Sequence, residues 1–245
     1  RKIWIIMGIR RGEITTKIVS DGLVFNMDAA NRASTIPSTS TTKTFNTVDT
    51  AISGTLEAGT DWTNVSLPPN FHFDGTDDFI NCGNHSSLQI TGELTVSIWF
   101  KTTSGAASYG EFIAKDNSSD RCWNMAKSNS ARNGFFTVRN GGSAFGAYSN
   151  ASDYDIGDGN WHNIIGVYLP STYIRLYLDG TQLAEETTSI PSSIDNDSVP
   201  LSIGARSTPS NEFFGQISCA HIYNRALSAE EVLSNYNGLR GRFGV

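Results

Sequence analysis

The segment Tyr173-Ile174-Arg175-Leu176-Tyr177-Leu178-Asp179-Gly180-Thr181 decides the fold class. Its side chains alternate, with Ile174, Leu176 and Leu178 on one face and Tyr173, Arg175 and Tyr177 on the other, which is the two-residue period of a strand. Asp179-Gly180 tolerates the positive φ angles of a two-residue hairpin turn, so the strand is expected to double back there. Thr95-Val96-Ser97-Ile98-Trp99-Phe100-Lys101 alternates too, but Trp99 opposes the face carrying Val96, Ile98 and Phe100. A strand apolar on both faces belongs inside a molecule covered on both sides.

Similar runs recur along the chain: 22–27, 71–73, 79–82, 111–115, 122–127, 135–139, 161–168, 182–185, 201–204 and 216–223. With the two above they make about a dozen short strands separated by turn residues, the pattern of an antiparallel two-sheet sandwich. The expected core is Val96, Ile98, Phe100, Ile165, Val167, Ile174, Leu176, Leu178, Ile203, Ile217 and Ile222, with Trp99 and Trp161 substantially buried. The first strand, 23–27, is expected to lie beside the last, 217–223. Residues 33–66, rich in Ser and Thr, read as a long loop or an irregular edge. A single helix is expected. Ser228-Ala229-Glu230-Glu231 is a capping box, Val232, Leu233 and Tyr236 form an apolar face, and Gly238 is placed to end the helix after two to three turns.

Composition agrees with an all-β domain. Among 245 residues, Ser, Thr and Asn number 72, and such side chains compete with helical backbone hydrogen bonds. The net charge of −6 argues against a nucleic-acid partner, and the basic residues near the start (Arg1, Lys2, Arg10, Arg11, Lys17) and the end (Arg225, Arg240, Arg242) read as solvated termini. Ile3-Trp4-Ile5-Ile6 is too short for membrane insertion or a signal peptide. Met7-Gly8 has the look of a start, which makes residues 1–6 an expected leader within an N-terminal extension, 1–21, ahead of one domain at 22–243. Cys82, Cys122 and Cys219 have neither disulfide nor zinc spacing and read as small buried residues. The five Asn-x-Ser sequons, at Asn64, Asn84, Asn117, Asn150 and Asn196, are what so much Asn and Ser yields by chance.

The chemistry of hydrolysis is hard to find. The Glu-x-Asp-x-x-Glu pattern of two carboxylates across a scissile bond is absent, as is Gly-x-Ser-x-Gly. The four histidines are scattered, and His162 beside Trp161 reads as a packing residue. Phe73-Asp74-Gly75-Thr76-Asp77-Asp78-Phe79 sets three carboxylates in one turn, which could offer hard oxygens to Ca²⁺, although hydrogen bonds within the turn alone explain them and are the favoured reading.

Several segments together resemble the laminin-G-like, concanavalin A-like jelly-roll family. They are Leu23–Ala30, Phe73–Phe79, Leu94–Lys101, Asp158-Gly159-Asn160-Trp161-His162, Leu176–Gly180 and Ile222-Tyr223-Asn224-Arg225-Ala226-Leu227-Ser228, in the family's order over about 22–243. More narrowly, Gly22–Asn31 and Asn235–Gly244 resemble the version found in structural proteins of tailed phages. The resemblance implies an all-β jelly roll and, often, one Ca²⁺ at the rim, for which Asp28, Asp74, Asp77 and Asp78 are the candidates. The chain departs from the family at Ser218-Cys219-Ala220, where acidic residues are frequent.

The function implied is that of a non-enzymatic virion protein: a fibre, tip or capsid-decoration domain. It would contact host surface glycan or pack on other virion proteins, as a homo-oligomer, since fibre modules are often trimeric. It would be located in the virion after assembly in the host cytoplasm. A carbohydrate-binding module of a secreted bacterial protein is the alternative, and a glycan hydrolase a more distant one. A glycan contact needs flat apolar rings beside side-chain amides. The expected ligand residues are accordingly Tyr109, Trp123, Asn124, Tyr148, Asn150 and Tyr154.

Overall fold

The computed structural model describes residues 18–35, 42–63, 67–103, 109–128, 134–150, 154–208 and 210–245. The expected leader and Ser108 lie outside them. The strands begin with β1 (Leu23–Asp28), β2 (Lys43–Phe45), β3 (Ser53–Glu57), β4 (Asp61–Thr63), β5 (Asn70–Asp74) and β6 (Phe79–Asn81). They continue with β7 (Leu94–Thr103), β8 (Gly110–Asp116), β9 (Arg121–Lys127), β10 (Gly134–Asn140) and β11 (Ser143–Tyr148). The last are β12 (Asp158–Leu169), β13 (Tyr173–Leu178), β14 (Thr181–Glu186), β15 (Ser202–Ile203) and β16 (Phe214–Tyr223), followed by helix α1 (Ala229–Phe243).

These strands form two antiparallel sheets, as a jelly-roll sandwich requires. The first runs β14-β13-β12-β7-β16-β5-β4, and the second β11-β10-β9-β8-β15-β6-β3-β2. One edge of β16 is shared: Phe214–Ile217 pair with β5, while Cys219–Tyr223 pair with β1. First and last strands are thus neighbours, as expected. The Ser- and Thr-rich stretch supplies the short β2 and β4 at the ends of the two sheets, which makes it an irregular edge. The Asp179-Gly180 turn joins β13 to β14 with φ of 48° and 79°, the double positive φ that the sequence implied.

Between the sheets lies one apolar core, which includes Val96, Ile98, Phe100, Ile174, Leu176, Leu178, Ile203, Ile217 and Ile222. The three cysteines are buried and unpaired. The opposite face of the first sheet is apolar as well, and α1 covers it. Ile165, Val167, Tyr177 and Tyr223 pack with Leu227 and Val232. Trp99, Trp161 and Cys219 pack with Phe243.

The helix differs from expectation in length. It has 15 residues, runs through Gly238 and ends at Gly244, whose φ of 74° is the left-handed cap. A glycine inside a helix costs about 1 kcal/mol relative to alanine, but the last two turns recover more than that by packing. Trp99 is stacked between Tyr236 and Phe243, with ring centroids 5.7 and 3.9 Å apart. Arg242 forks onto both oxygens of Asp28 at 2.8 and 2.9 Å and reaches Ser218 Oγ at 2.7 Å. The Ser228–Glu231 capping box is present as expected.

Trp99→Ala should cost about 3–5 kcal/mol, because it empties a fully buried site that two helix residues stack upon. Chemical denaturation measures this, and a midpoint equal to wild type would refute the stacking role.

Candidate functional site

The outer face of the second sheet carries the candidate site. On β10, Phe136 and Val138 turn into the core, so Phe135, Thr137 and Arg139 face outward. Cross-strand register sets them in rows: Ala126–Phe135–Tyr148, then Asn124–Thr137–Gly146, then Arg139 opposite Ala144. Small residues stand at 126, 144 and 146, and of these Ala144 lines a depression between larger neighbours. The result is a recess of about 310 Å³ lined by residues including Tyr109, Asn124, Phe135, Arg139, Tyr148 and Arg206.

Its wall is a run of rings. Tyr109 and Phe135 have centroids 5.4 Å apart, and Phe135 and Tyr148 stack at 5.4 Å with 25° between planes. Tyr148 is 56% exposed, so most of its ring is available to a ligand. Its phenol is raised above the ordinary range by burial and drawn back by Arg139 nearby.

The floor is a closed polar network. Asn124 Nδ2 donates to both oxygens of Glu111 at 3.1 and 3.0 Å and to the Tyr109 hydroxyl at 3.2 Å, while its Oδ1 accepts from Thr137 Oγ1. Arg206 Nε stands 3.4 Å from Glu111 and 3.3 Å from Asp116. Glu111 is fully buried, and burial pushes its carboxyl up to about 7 despite Asn124 and Arg206, which favour the charged form. The Tyr109 phenol is likewise raised, first by burial and then by Glu111.

The recess brings together three of the six expected ligand residues, and each has a different standing. Tyr148 offers an open ring. Tyr109 is half-buried against Phe135. Asn124 lines the recess, but its amide is spent on Glu111, Tyr109 and Thr137. Trp123 leaves the set, because β9 turns it inward and it is 1% exposed in the core. Asn150 is exposed beyond the end of β11 and does not line the recess. Tyr154 is exposed and stands near the helix, where it adds to the causes, burial foremost, that raise the Tyr236 phenol.

Sequence reasoning passed over Phe135, Thr137 and Arg139, although the alternation of 135–139 carried the signal. Arg206 comes from a loop before β16, where no periodicity marks it.

The Ca²⁺ candidates separate. Asp74, Asp77 and Asp78 each bring one oxygen within 4.8 Å of the others. Two of the three already serve the turn: Asp78 Oδ2 accepts from the Asp74 N–H and Asp74 Oδ1 from the Thr76 N–H, both at 2.8 Å. Ca²⁺ asks for six to eight oxygens, and this turn is accounted for by its own hydrogen bonds. Asp28 is remote in role, because the Arg242 guanidinium holds both its oxygens. The residues therefore do not make a fitted metal site.

His162 is more than a packing residue. Its Nδ1 lies 2.7 Å from Asp179 and its Nε2 3.1 Å from Asp158. Burial lowers its proton affinity, but the two carboxylates together raise it above the usual value.

The concanavalin A-like lectin/glucanases superfamily model, Laminin_G_3, matches residues 74–233. No curated protein matches the chain. Among solved structures, the binding domain of Paraclostridial Mosquitocidal Protein 1 is similar at TM-score 0.67 and 14% identity, covering 88% of this chain and 52% of its own. The receptor-binding domain of botulinum neurotoxin C/D mosaic serotype is similar at 0.68 and 15%, covering 90% and 52%. The ligand-binding domain of botulinum neurotoxin serotype D, in complex with N-acetylneuraminic acid, is similar at 0.66 and 14%, covering 89% and 51%. The chain spans about half the length of each, and at these identities the likeness shows the fold.

The buried Glu111 sets a pH test. Its folded-state affinity for a proton exceeds that of the unfolded chain, so its ionisation opposes folding from about pH 4.5, increasingly up to about pH 7. Glu111→Gln should therefore gain stability relative to wild type across that window, by up to roughly 3 kcal/mol. Urea unfolding at pH 4.5 and pH 8 reads the difference, and a pH-independent offset would contradict it.

Proposed function

Since the chain belongs to the concanavalin A-like lectin/glucanases superfamily, we propose that it is a non-enzymatic glycan-binding domain whose ligand lies in the recess of the second sheet. The observation that carries this reading is the open Tyr148 ring continued by Phe135 and Tyr109 above a polar floor. Sugars present C–H faces to rings and hydroxyls to polar groups, and a recess of this size and lining suits one or two sugar units. That the structurally similar serotype D domain is a complex with N-acetylneuraminic acid agrees with a glycan partner.

Binding is favoured over hydrolysis by the state of the carboxylates. Glu111 and Asp116 lie beneath the recess, 0% and 1% exposed, held by Asn124 and Arg206. A general acid must reach the glycosidic oxygen, and these two are shut away from it.

The setting we propose is a tailed-phage virion, with the domain on a fibre, tip or capsid-decoration protein that meets host surface glycan. Its support is the resemblance of Gly22–Asn31 and Asn235–Gly244 to such proteins.

A glycan array probed with wild type and Tyr148→Ala tests the reading. The variant should bind at least about tenfold more weakly, the effect of losing roughly 1.4 kcal/mol of ring contact. Its melting should be nearly unchanged, because the ring is more than half exposed. Equal binding by the two proteins, or none by either, would overturn the assignment.

A further inference from the structure

We infer that the recess is built for an acidic sugar, one carrying a carboxylate or a sulfate, and that Arg139 reads the anion. This rests on the recess being a glycan site, and adds the ligand's charge. Arg139 stands between two hollows. It lines the recess, and it also lines an adjoining hollow of about 410 Å³ with Ser119, Arg121, Gly142, Asp195 and Asp197.

The charges around it are already committed. Arg206 is held by Glu111 and Asp116. Arg121 Nε donates to the Ser118 carbonyl at 2.9 Å and lies 3.6 Å from Asp116. Asp195 accepts from the N–H groups of Gly141 and Gly142 at 3.0 and 3.3 Å, and Asp197 from that of Arg121 at 3.1 Å.

Arg139 differs from the other two arginines. Its side chain forms no hydrogen bond or ion pair among the described residues, and its Nε is shielded from solvent without a partner. A guanidinium N–H that has lost water and gained no acceptor is costly. The planar fork of arginine matches a carboxylate or sulfate through two parallel N–H···O bonds. An anion on a sugar stacked against Tyr148 would meet that fork, since Arg139 and Tyr148 line the same recess.

The protein's net charge of −6 gives no general attraction for anions, so the preference is local to this residue. Asp195 and Asp197 oppose a second acidic group in the neighbouring hollow. The ligand that fits has one acidic unit in the recess and a neutral unit beyond it, whose hydroxyls donate to Asp195 and Asp197.

The test is an array of matched pairs, in which sialylated, uronate-bearing and sulfated oligosaccharides each sit beside the counterpart lacking the acid. It is probed with wild type, Arg139→Gln and Arg139→Lys. Wild type should favour the acidic member of at least one class by about tenfold or more, and which class it favours separates carboxylate from sulfate. Arg139→Gln should bind both members of that pair equally, and Arg139→Lys should retain part of the preference. Should Arg139→Gln melt below wild type, the salt dependence of wild type carries the test, since the preference should shrink between about 0.05 and 0.5 M NaCl. Equal binding within every pair by wild type, a preference that survives Arg139→Gln, or one indifferent to salt overturns the acidic-sugar inference and leaves the glycan reading intact. No binding to any member overturns both.

Discussion

A sheet that is apolar on both faces has to be covered twice, and this requirement organises the molecule. The central strands of the first sheet send Ile98, Phe100 and Ile217 inward to the sandwich core and Trp99, Ile165 and Val167 outward. The second sheet covers one side, and α1 must cover the other. Trp99 therefore lies between Tyr236 and Phe243, and Arg242 closes the arrangement on Asp28 of β1. First strand, last strand and helix are bound to one another by side chains far apart in sequence, so the helix is part of the sandwich's cohesion.

The second sheet is covered only in part on its outer face: Glu111, Asn124, Ala126 and Thr137 are buried there, while Ala144 and Tyr148 are exposed at the recess. Its inner side chains are spent on the core and its outer ones are polar, small or aromatic, which is the composition of a surface that meets solvent or a ligand. The buried floor of Glu111, Asn124, Thr137, Arg206 and Asp116 fixes the height and tilt of the rings above it. Preorganisation of this kind lowers the entropy lost when a ligand settles. The floor's cost is the elevated proton affinity of Glu111, borne by the stability gained in the core.

Periodicity made the sandwich legible in the sequence. Two-residue alternation, the Asp179-Gly180 turn and the capping box each act over a few residues, and each is realised in the structure. Gly238 does not end the helix, because Tyr236, Phe243 and Arg242 make tertiary contacts that no local pattern contains. The candidate site was legible only in part. Aromatic residues near amides pointed to Tyr109, Asn124 and Tyr148. Nothing local, however, reveals which face of β9 meets the core, and so Trp123 was grouped with them. Arg206 joins the site through loop geometry, and the Asn124 amide is consumed by a partner 13 residues away. Such facts arise from register between strands, which a single strand's pattern does not contain.

Because the recess exists where side chains are missing, its shape can be altered by adding atoms and without touching the core. The three small positions differ in how freely they can do so. A Cβ on Gly146 would stand 2.5 Å from Thr137 Cγ2 and 2.7 Å from the Phe136 carbonyl oxygen, so that position is locked by backbone. Ala126 is 0% exposed and is closed as well, whereas Ala144 is exposed and lines the recess, so a longer side chain there would extend into the open depression. Ala144 is thus the position through which the shape of the recess can change while the sandwich stays constant.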